Sequence, residues 1–229
     1  VAGWLWLPRA GGWDTFSTAV GEQRAIQLPD SSVLNLNTGS RVKVRFTAQA
    51  RDIRLVEGEA YFKVQKDTAR PFRVHTREAV IQALGTQFNV YSREAGTTVS
   101  VLEGRVRVTP ERRERPARVD AGAPDNAPLA PALGAGEQVR IDTTGRIKQA
   151  AADVADAAAW RQRRLVFREQ PLADIAAEFN RYNRAPKIRL QDIAPGTHLY
   201  TGTFDADDPH ALARLLTRQS DLVVETGAG

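Results

Sequence analysis

Apolar residues two positions apart recur between Gly21 and Ile147, in short runs separated by turn-forming residues. This period places alternate side chains on opposite faces of a β-strand. The runs are Ile26/Leu28, Leu34/Leu36, Val42/Val44/Phe46, Ile53/Leu55, Ala60/Phe62/Val64, Phe72/Val74, Phe88/Val90, Val99/Val101, Val106/Val108 and Val139/Ile141. Many short strands predict an all-β sandwich, barrel or roll, and the pattern alone does not choose among these.

Two Glu-Gly pairs, Glu57-Gly58 and Glu103-Gly104, join predicted strands in similar surroundings. Glycine supplies the permissive backbone dihedral that a tight turn or bulge needs. We therefore expect a hairpin turn or a bulge at Gly58 and at Gly104.

The strand pattern stops between residues 109 and 135, where five prolines and many alanines occur. Such a segment has little apolar surface to offset the entropy lost on ordering. It predicts a flexible insert within the β domain, with the strands resuming near Val139.

Helical spacing replaces the period of two after residue 150. A strand at 165–167 is followed by a helix that opens at Pro171, and Asp207 or Asp208 is the predicted cap of a second helix. Strands at 187–190, 197–204 and 222–224 complete the order β-α-β-β-α-β. The predicted fold is thus mainly β, with an all-β sandwich or roll of short antiparallel strands at 10–150 and a small C-terminal α+β lobe (βαββαβ) at 151–229.

Residues 1–9 begin with an apolar run, Val1 to Leu7, and end in Pro8-Arg9. The run is shorter than the roughly 20 residues that cross a bilayer. It fits either the end of a membrane-spanning segment, with Trp4 and Trp6 at the interface, or a terminal stub such as an apolar first strand.

The formal charge is +5, and it is concentrated in the first 150 residues, which hold 22 basic and 16 acidic side chains. The clearest basic cluster, Arg41, Lys43 and Arg45, alternates with Val42, Val44 and Phe46. This alternation is typical of the solvated face of an amphipathic strand, and no nucleic-acid-binding motif accompanies it. We therefore predict no nucleic-acid partner.

Catalytic and metal-binding motifs are absent from the sequence. There is no cysteine, and His75, His198 and His210 are far apart without a companion ligand at short spacing. No P-loop, G-x-S-x-G or G-x-G-x-x-G motif occurs. The sequence predicts a protein that is not an enzyme and that needs no cofactor or metal.

Four blocks, in this order, resemble the periplasmic region of FecR-type anti-sigma regulators. They begin at Leu28-Pro29-Asp30-Ser31-Ser32-Val33-Leu34-Asn35-Leu36-Asn37-Thr38 and continue with Gly58-Glu59-Ala60-Tyr61-Phe62-Lys63-Val64, Arg70-Pro71-Phe72-Arg73-Val74-His75-Thr76 and Leu84-Gly85-Thr86-Gln87-Phe88-Asn89-Val90. The chain departs from the family at Ser31, where glycine usually follows Asp30. A serine there predicts a turn without positive φ.

The C-terminal lobe resembles the short signalling domain at the N-termini of secretins and TonB-dependent transducers, through Pro171-Leu172 and Gly202-Thr203-Phe204. The two resemblances imply the periplasmic sensor region of a single-pass inner-membrane regulator. The implied partners are the signalling domain of an outer-membrane TonB-dependent receptor, an extracytoplasmic-function sigma factor reached through a cytoplasmic segment outside this sequence, and the inner membrane through an anchor also outside it. The implied signal is uptake of an iron source such as a siderophore or haem.

Two other classes of function stay open on the sequence. One is a structural envelope module that self-assembles through its secretin-like lobe, and the other is a carbohydrate-binding β domain.

Receptor binding is expected at the C-terminal lobe, because an incoming domain could pair with a sheet edge and bury apolar side chains beside it. The predicted contacts lie on the strands at 187–190 and 199–204, above two residues of the first helix. The candidate residues are Ile188, Leu190, Leu199, Tyr200 and Phe204, with Leu172 and Ile175 beneath them.

Overall fold

A computed structural model describes residues 4–5, 12–111, 132–150, 153–185, 187–189, 199–208 and 210–217. Its strands are β1 (Trp4–Leu5), β2 (Asp14–Ser17), β3 (Arg24–Gln27), β4 (Val33–Leu36), β5 (Arg41–Phe46), β6 (Arg51–Lys63), β7 (Phe72–His75), β8 (Ala79–Ala83), β9 (Gln87–Arg93), β10 (Gly96–Glu103), β11 (Arg105–Pro110), β12 (Ala132–Gly134), β13 (Gln138–Ile141), β14 (Ile147–Ala150), β15 (Arg164–Pro171) and β16 (Leu199–Asp205). The helices are a 3₁₀ helix (Asp156–Gln162), α1 (Leu172–Tyr182) and α2 (Ala211–Leu216).

Strands β1 to β14 form one sheet that curls over on itself, and its two halves share the long strand β6. Half-sheet A contains β1, β3, β4, β6, β9, β10, β13 and β14; half-sheet B contains β2, β5, β6, β7, β8, β11 and β12. Most neighbours are antiparallel, as predicted, but β1–β3 and β6–β7 are parallel. The predicted mainly β class is confirmed.

The inward side chains of the two halves form one apolar core. Leu34, Leu36 and Phe62 come from half-sheet A, and Ile53 and Phe72 come from half-sheet B. The rings of Phe62 and Phe72 meet edge to face with centroids 5.9 Å apart. Each of these residues alternates with a polar neighbour along its strand, which is why the period of two in the sequence located the core.

Both glycines of the Glu-Gly pairs mark places where the chain passes between the half-sheets. Gly58 (φ 86°) lies two residues after the bulge at Val56 inside β6, and Gly104 (φ 79°) separates β10 in half-sheet A from β11 in half-sheet B. The bulges lie two residues before these glycines, at Val56 and Leu102, and neither glycine forms a hairpin turn. The residues before and after Gly58 belong to one continuous strand, because the chain bends there without reversing.

Ser31 corrects one sequence-based expectation, since its φ is +66°. The turn is held by Asp30, whose Oδ1 accepts a hydrogen bond from the Ser32 amide and whose Oδ2 accepts one from the Ser32 hydroxyl. This local bonding lets a serine occupy the conformation that glycine usually takes.

The C-terminal lobe contains the two-stranded sheet β15–β16, with α1 and α2 packed around it. Helix α1 matches the prediction. Residues 187–189 are not in a strand, and the predicted strand at 222–224 lies outside the described residues. Helix α2 begins after His210 without a side-chain cap, so neither Asp207 nor Asp208 is its N-cap. These carboxylates pair instead with Arg163 and Arg214.

Trp4 and Leu5 form the short strand β1, which is parallel to β3. Of the two interpretations of residues 1–9, the apolar first strand agrees with this pairing. Most of the predicted insert, residues 112–131, lies outside the described part of the chain. None of the helices in the described residues combines the length and the apolar composition of a membrane-spanning segment.

Candidate interaction site between the β domain and the C-terminal lobe

The C-terminal lobe packs on the outer face of half-sheet A. Tyr61, which points outward from β6, is 3% exposed because it belongs to the apolar cluster of the lobe. Trp160 of the 3₁₀ helix and Phe179 and Tyr182 of α1 belong to the same cluster. The β domain and the lobe therefore share a continuous buried interface.

Glu59 is the centre of a buried polar network at this interface and is 5% exposed. Its carboxylate accepts hydrogen bonds from Asn37 Nδ2 (2.7 Å) and Asn89 Nδ2 (2.8 Å) of the β domain. It also accepts one from Arg181 Nη1 of α1 (2.8 Å). A buried carboxylate with this many donors, one of them charged, is well satisfied.

Further bonds extend the network into the lobe. Asn37 Nδ2 also donates to the Tyr182 hydroxyl oxygen (2.6 Å), and the indole Nε1 of Trp160 donates to Asn89 Oδ1 (3.1 Å). Arg181 Nη1 pairs in addition with Glu178 (2.8 Å), and its guanidinium lies over the ring of Tyr91 at 4.2 Å. The two asparagines thus each join Glu59 to an aromatic side chain of the lobe.

The rim of the interface is closed by contacts that involve backbone carbonyls. Thr38 Oγ1 donates to the carbonyl of Arg181 (2.9 Å), and Gln23 Nε2 donates to that of Trp160 (2.7 Å). Arg163 of the lobe donates in return to the carbonyl of Gly21 (2.9 Å). These hydrogen bonds therefore surround the ion pair of Glu59 and Arg181 on several sides.

Burial controls the ionisation of the network. Desolvation raises the pKa of both Tyr91 and Tyr182 well above the ordinary value of 10. Burial alone would lower the pKa of Arg181, but the carboxylates of Glu59 and Glu178 outweigh it and raise that pKa. At neutral pH the two phenols are neutral and the guanidinium is charged, which suits their hydrogen bonds.

Sequence reasoning missed this site, although the motif blocks contain it. Asn37, Thr38, Glu59 and Asn89 all belong to blocks that carry the family resemblance, and Asn37 is fully buried. The alternation had placed Asn37 on the polar face of a strand. The sequence did contain one indication of this site. Asn37 is a polar residue inside a family motif, and no turn or helix cap explains its presence there.

The predicted receptor-binding residues have different surroundings. Leu172, Ile175 and Tyr200 are buried in the lobe, and Ile188 and Phe204 are half-buried against its core. Leu199 is 58% exposed at the start of β16. Leu190 lies outside the described residues.

A cleft of about 410 Å³ opens beside the network, between half-sheet A and the lobe. Arg93 and Arg140 lie on its sheet side, and Asp174 and Glu178 of α1 lie on its lobe side. Among the described residues, no group of three His, Asp or Glu side chains is arranged to hold a metal ion.

Comparisons with known proteins identify solved structures that are similar to this one. Two crystal structures, at 1.65 Å and 2.50 Å, of a candidate anti-sigma factor from Parabacteroides distasonis ATCC 8503 are similar to it, with TM-scores of 0.76 and 0.72 and identities of 26% and 25%. Each match covers 94% of this chain and 95% of the other. A comparison with curated proteins found no match.

The family model described as FecR protein matches residues 14–107, which include all four motif blocks. Residues 14–107 are therefore a FecR-family region, and the resemblance of this chain to FecR-type anti-sigma regulators is confirmed.

Proposed function

We propose that this chain is the periplasmic sensor region of a membrane-anchored anti-sigma regulator. In this proposal it binds the signalling domain of an outer-membrane TonB-dependent receptor and relays the uptake of an iron source, a siderophore or haem, to an extracytoplasmic-function sigma factor. In this proposal the sigma factor binds a cytoplasmic segment of the protein, and a separate anchor holds the protein in the inner membrane. Both segments lie outside this sequence. The FecR-family region and the similarity to a candidate anti-sigma factor support this class of function.

The exposure of Leu199 is the observation that supports a receptor contact on the C-terminal lobe. Leu199 is 58% exposed at the start of β16, whereas the neighbouring Tyr200 is 8% exposed. An exposed leucine at the first residue of a strand is available to an incoming domain, and Tyr200, Leu172 and Ile175 belong to the apolar cluster of the same lobe. Ile188 and Phe204 contribute the half-buried margin of the same lobe.

Titration with receptor signalling domains tests the proposal. Each TonB-dependent receptor of the source genome that has such a domain would be titrated against this chain by calorimetry. We expect one domain to bind, and we expect Leu199→Ala to weaken that binding at least fivefold, the effect of losing an interface residue worth more than about 1 kcal/mol. The melting temperature should hardly change, because the side chain is exposed.

Leu84→Ala is the matched control, because Leu84 is a 48% exposed leucine of the β domain. It should leave receptor binding unchanged. If no signalling domain binds, or if residues 10–150 alone bind as well as the whole chain, the proposal is wrong. Concentration-dependent self-association of the chain without receptor binding would instead favour the structural envelope module.

A further inference from the structure

The outer face of half-sheet B, on the side of the β domain opposite to the C-terminal lobe, is strongly basic. Adjacent strands bring together side chains that are far apart in the sequence. We call this surface the basic face; it contains seven Lys or Arg and two acidic residues. The basic residues are Arg41, Lys43, Arg45, Arg54, Arg73, Arg105 and Arg107, and the acidic residues are Asp52 and Glu57.

One row across the basic face places like charges opposite each other. Lys43 on β5 is directly opposite Arg54 on β6, and these two side chains form the like-charge pair. Like charges in such positions destabilise a sheet. Among the described residues, Lys43, Arg54, Arg105 and Arg107 form no ion pair with a carboxylate. The fold thus retains an unfavourable arrangement that an external anion would relieve.

The neighbouring row is only partly neutralised. Asp52 is a single buried carboxylate that pairs with Arg73 (2.9 Å) and Arg45 (3.4 Å) and has His75 at 3.6 Å. Gln82 follows Arg73 in the row, and Arg107 follows Gln82. This row therefore adds to the positive charge of the first.

Trp13 lies between two arginines of the basic face. The guanidinium carbons of Arg45 and Arg54 are 4.6 Å and 4.8 Å from its ring. These cation–π contacts hold the guanidiniums beside the indole. Tryptophan beside basic residues is the combination found at the headgroup level of membranes.

The shape of the basic face distinguishes between anionic partners. Its six strands β2, β5, β6, β7, β8 and β11 span about 24 Å at the usual strand spacing. A broad sheet face matches a plane of phosphate headgroups, whereas readers of duplex nucleic acid insert a helix or ribbon into a groove. We propose that the basic face is a docking surface for an anionic phospholipid bilayer. Docking in this way leaves the C-terminal lobe, on the opposite side of the β domain, directed away from the lipid.

Vesicle co-sedimentation tests this inference with the whole chain. We expect binding to vesicles of phosphatidylglycerol and phosphatidylcholine in equal parts, no binding to phosphatidylcholine alone, and weaker binding as the salt concentration rises. Lys43→Glu should weaken the binding roughly thirtyfold, because each basic residue near an anionic surface contributes about a fivefold factor and the reversal changes two charges. The variant should be at least as stable as the parent, since it converts a like-charge cross-strand pair with Arg54 into an attractive one.

Lys148→Glu is the matched control. Lys148 on β14 is directly opposite Arg140 on β13, so the variant makes the same charge change at the same kind of pair on half-sheet A. It should retain vesicle binding within about threefold, since it lies away from the basic face. Absence of binding to anionic vesicles, or equal losses in the two variants, would overturn the inference. Equal or tighter binding of a DNA duplex would also overturn it, in favour of a nucleic-acid partner.

Discussion

Glu59 keeps a carboxylate at a position that is 5% exposed, where donors from the β domain and from the lobe surround it. Alanine at this position would remove one of the two carboxylates that compensate the guanidinium of Arg181. Glu178 would still pair with Arg181, but Asn37 and Asn89 would each lose a buried acceptor, and breaking a buried ion pair from one side is strongly destabilising. We expect Glu59→Ala to lower the free energy of unfolding by about 3–5 kcal/mol, measured by urea denaturation.

Glu57→Ala provides the control for that measurement. Glu57 is two residues away on the same strand and pairs with Arg41 at 2.6 Å, but both side chains are more than half exposed. Exposed pairs contribute about 1 kcal/mol or less. A Glu59→Ala variant as stable as Glu57→Ala would contradict the role assigned to the buried network.

The phenols of the interface predict a loss of stability in alkali. Burial raises the folded-state pKa of Tyr182 above its ordinary value of 10, and a raised pKa means that the folded state holds its proton more tightly than the unfolded state. The resulting stabilisation is complete below pH 10 and is lost as the pH rises above that value. Thermal melting between pH 8 and pH 11 should show this decline, and Tyr182→Phe should make it shallower. An unchanged slope in Tyr182→Phe would contradict the assignment.

Single residues also show where sequence reasoning ends. The alternation in Leu34-Asn35-Leu36-Asn37 located the core leucines correctly, because a period of two reports which face a residue is on. It could not report that Asn37 meets Tyr182 of the lobe, 145 residues away in the sequence. Ser31 shows the same limit, since its positive φ depends on hydrogen bonds that Asp30 makes in the folded turn.

At the scale of elements, the bend in β6 depends on Gly58. A Cβ at Gly58 would lie 2.6 Å from the Cα of Ser40, which is backbone that cannot move aside easily. Gly136 has nearly the same φ, +84° against +86°, but a Cβ there would meet nothing within 4 Å. We expect Gly136→Ala to cost about 1 kcal/mol for the left-handed backbone alone. Gly58→Ala should cost about 1–3 kcal/mol more because of the overlap.

Chemical denaturation of the two variants checks this prediction. The difference between them measures the close approach of β6 to the turn at Ser40, because both carry the same backbone strain. Equal losses of stability would mean that β6 shifts to accept the side chain and that the bend does not depend on glycine.

The elements that the sequence predicted best are those whose pattern is local. The apolar spacing of Leu172, Ile175 and Phe179 located α1, and Gly58 and Gly104 located two bends. Strand β8 has the buried pattern Ala79, Ile81 and Ala83 but was missed, since alanines weaken its apolar signal. The union of residues 51–63 into one strand was also missed, because it arises from pairing with strands of both half-sheets.

For the whole molecule, the sequence predicts a change from β to α+β near residue 150, and the structure shows a contact between the two parts. The predicted boundary between residues 10–150 and 151–229 is followed by the 3₁₀ helix, whose Trp160 is 4% exposed. Its indole bonds to Asn89, so the lobe is anchored almost at once after the boundary. Long-range contacts of this kind carry no local signature, which is why the change in hydrophobic period predicts two regions but not the contact between them.

Limited proteolysis tests how the two parts are joined. We expect early cleavage within residues 110–135 and near 150–158, as the sequence predicts for an insert and a domain boundary. The fragment released by the second cut should nevertheless co-elute with the β domain in size-exclusion chromatography, because the Glu59 network and the Tyr61 contact cross the interface without using the cleaved segment. Glu59→Ala should let the fragments separate under the same conditions, whereas Glu57→Ala should not. Separation of the unmodified fragments would show that the linker, and not the buried network, holds the lobe on half-sheet A.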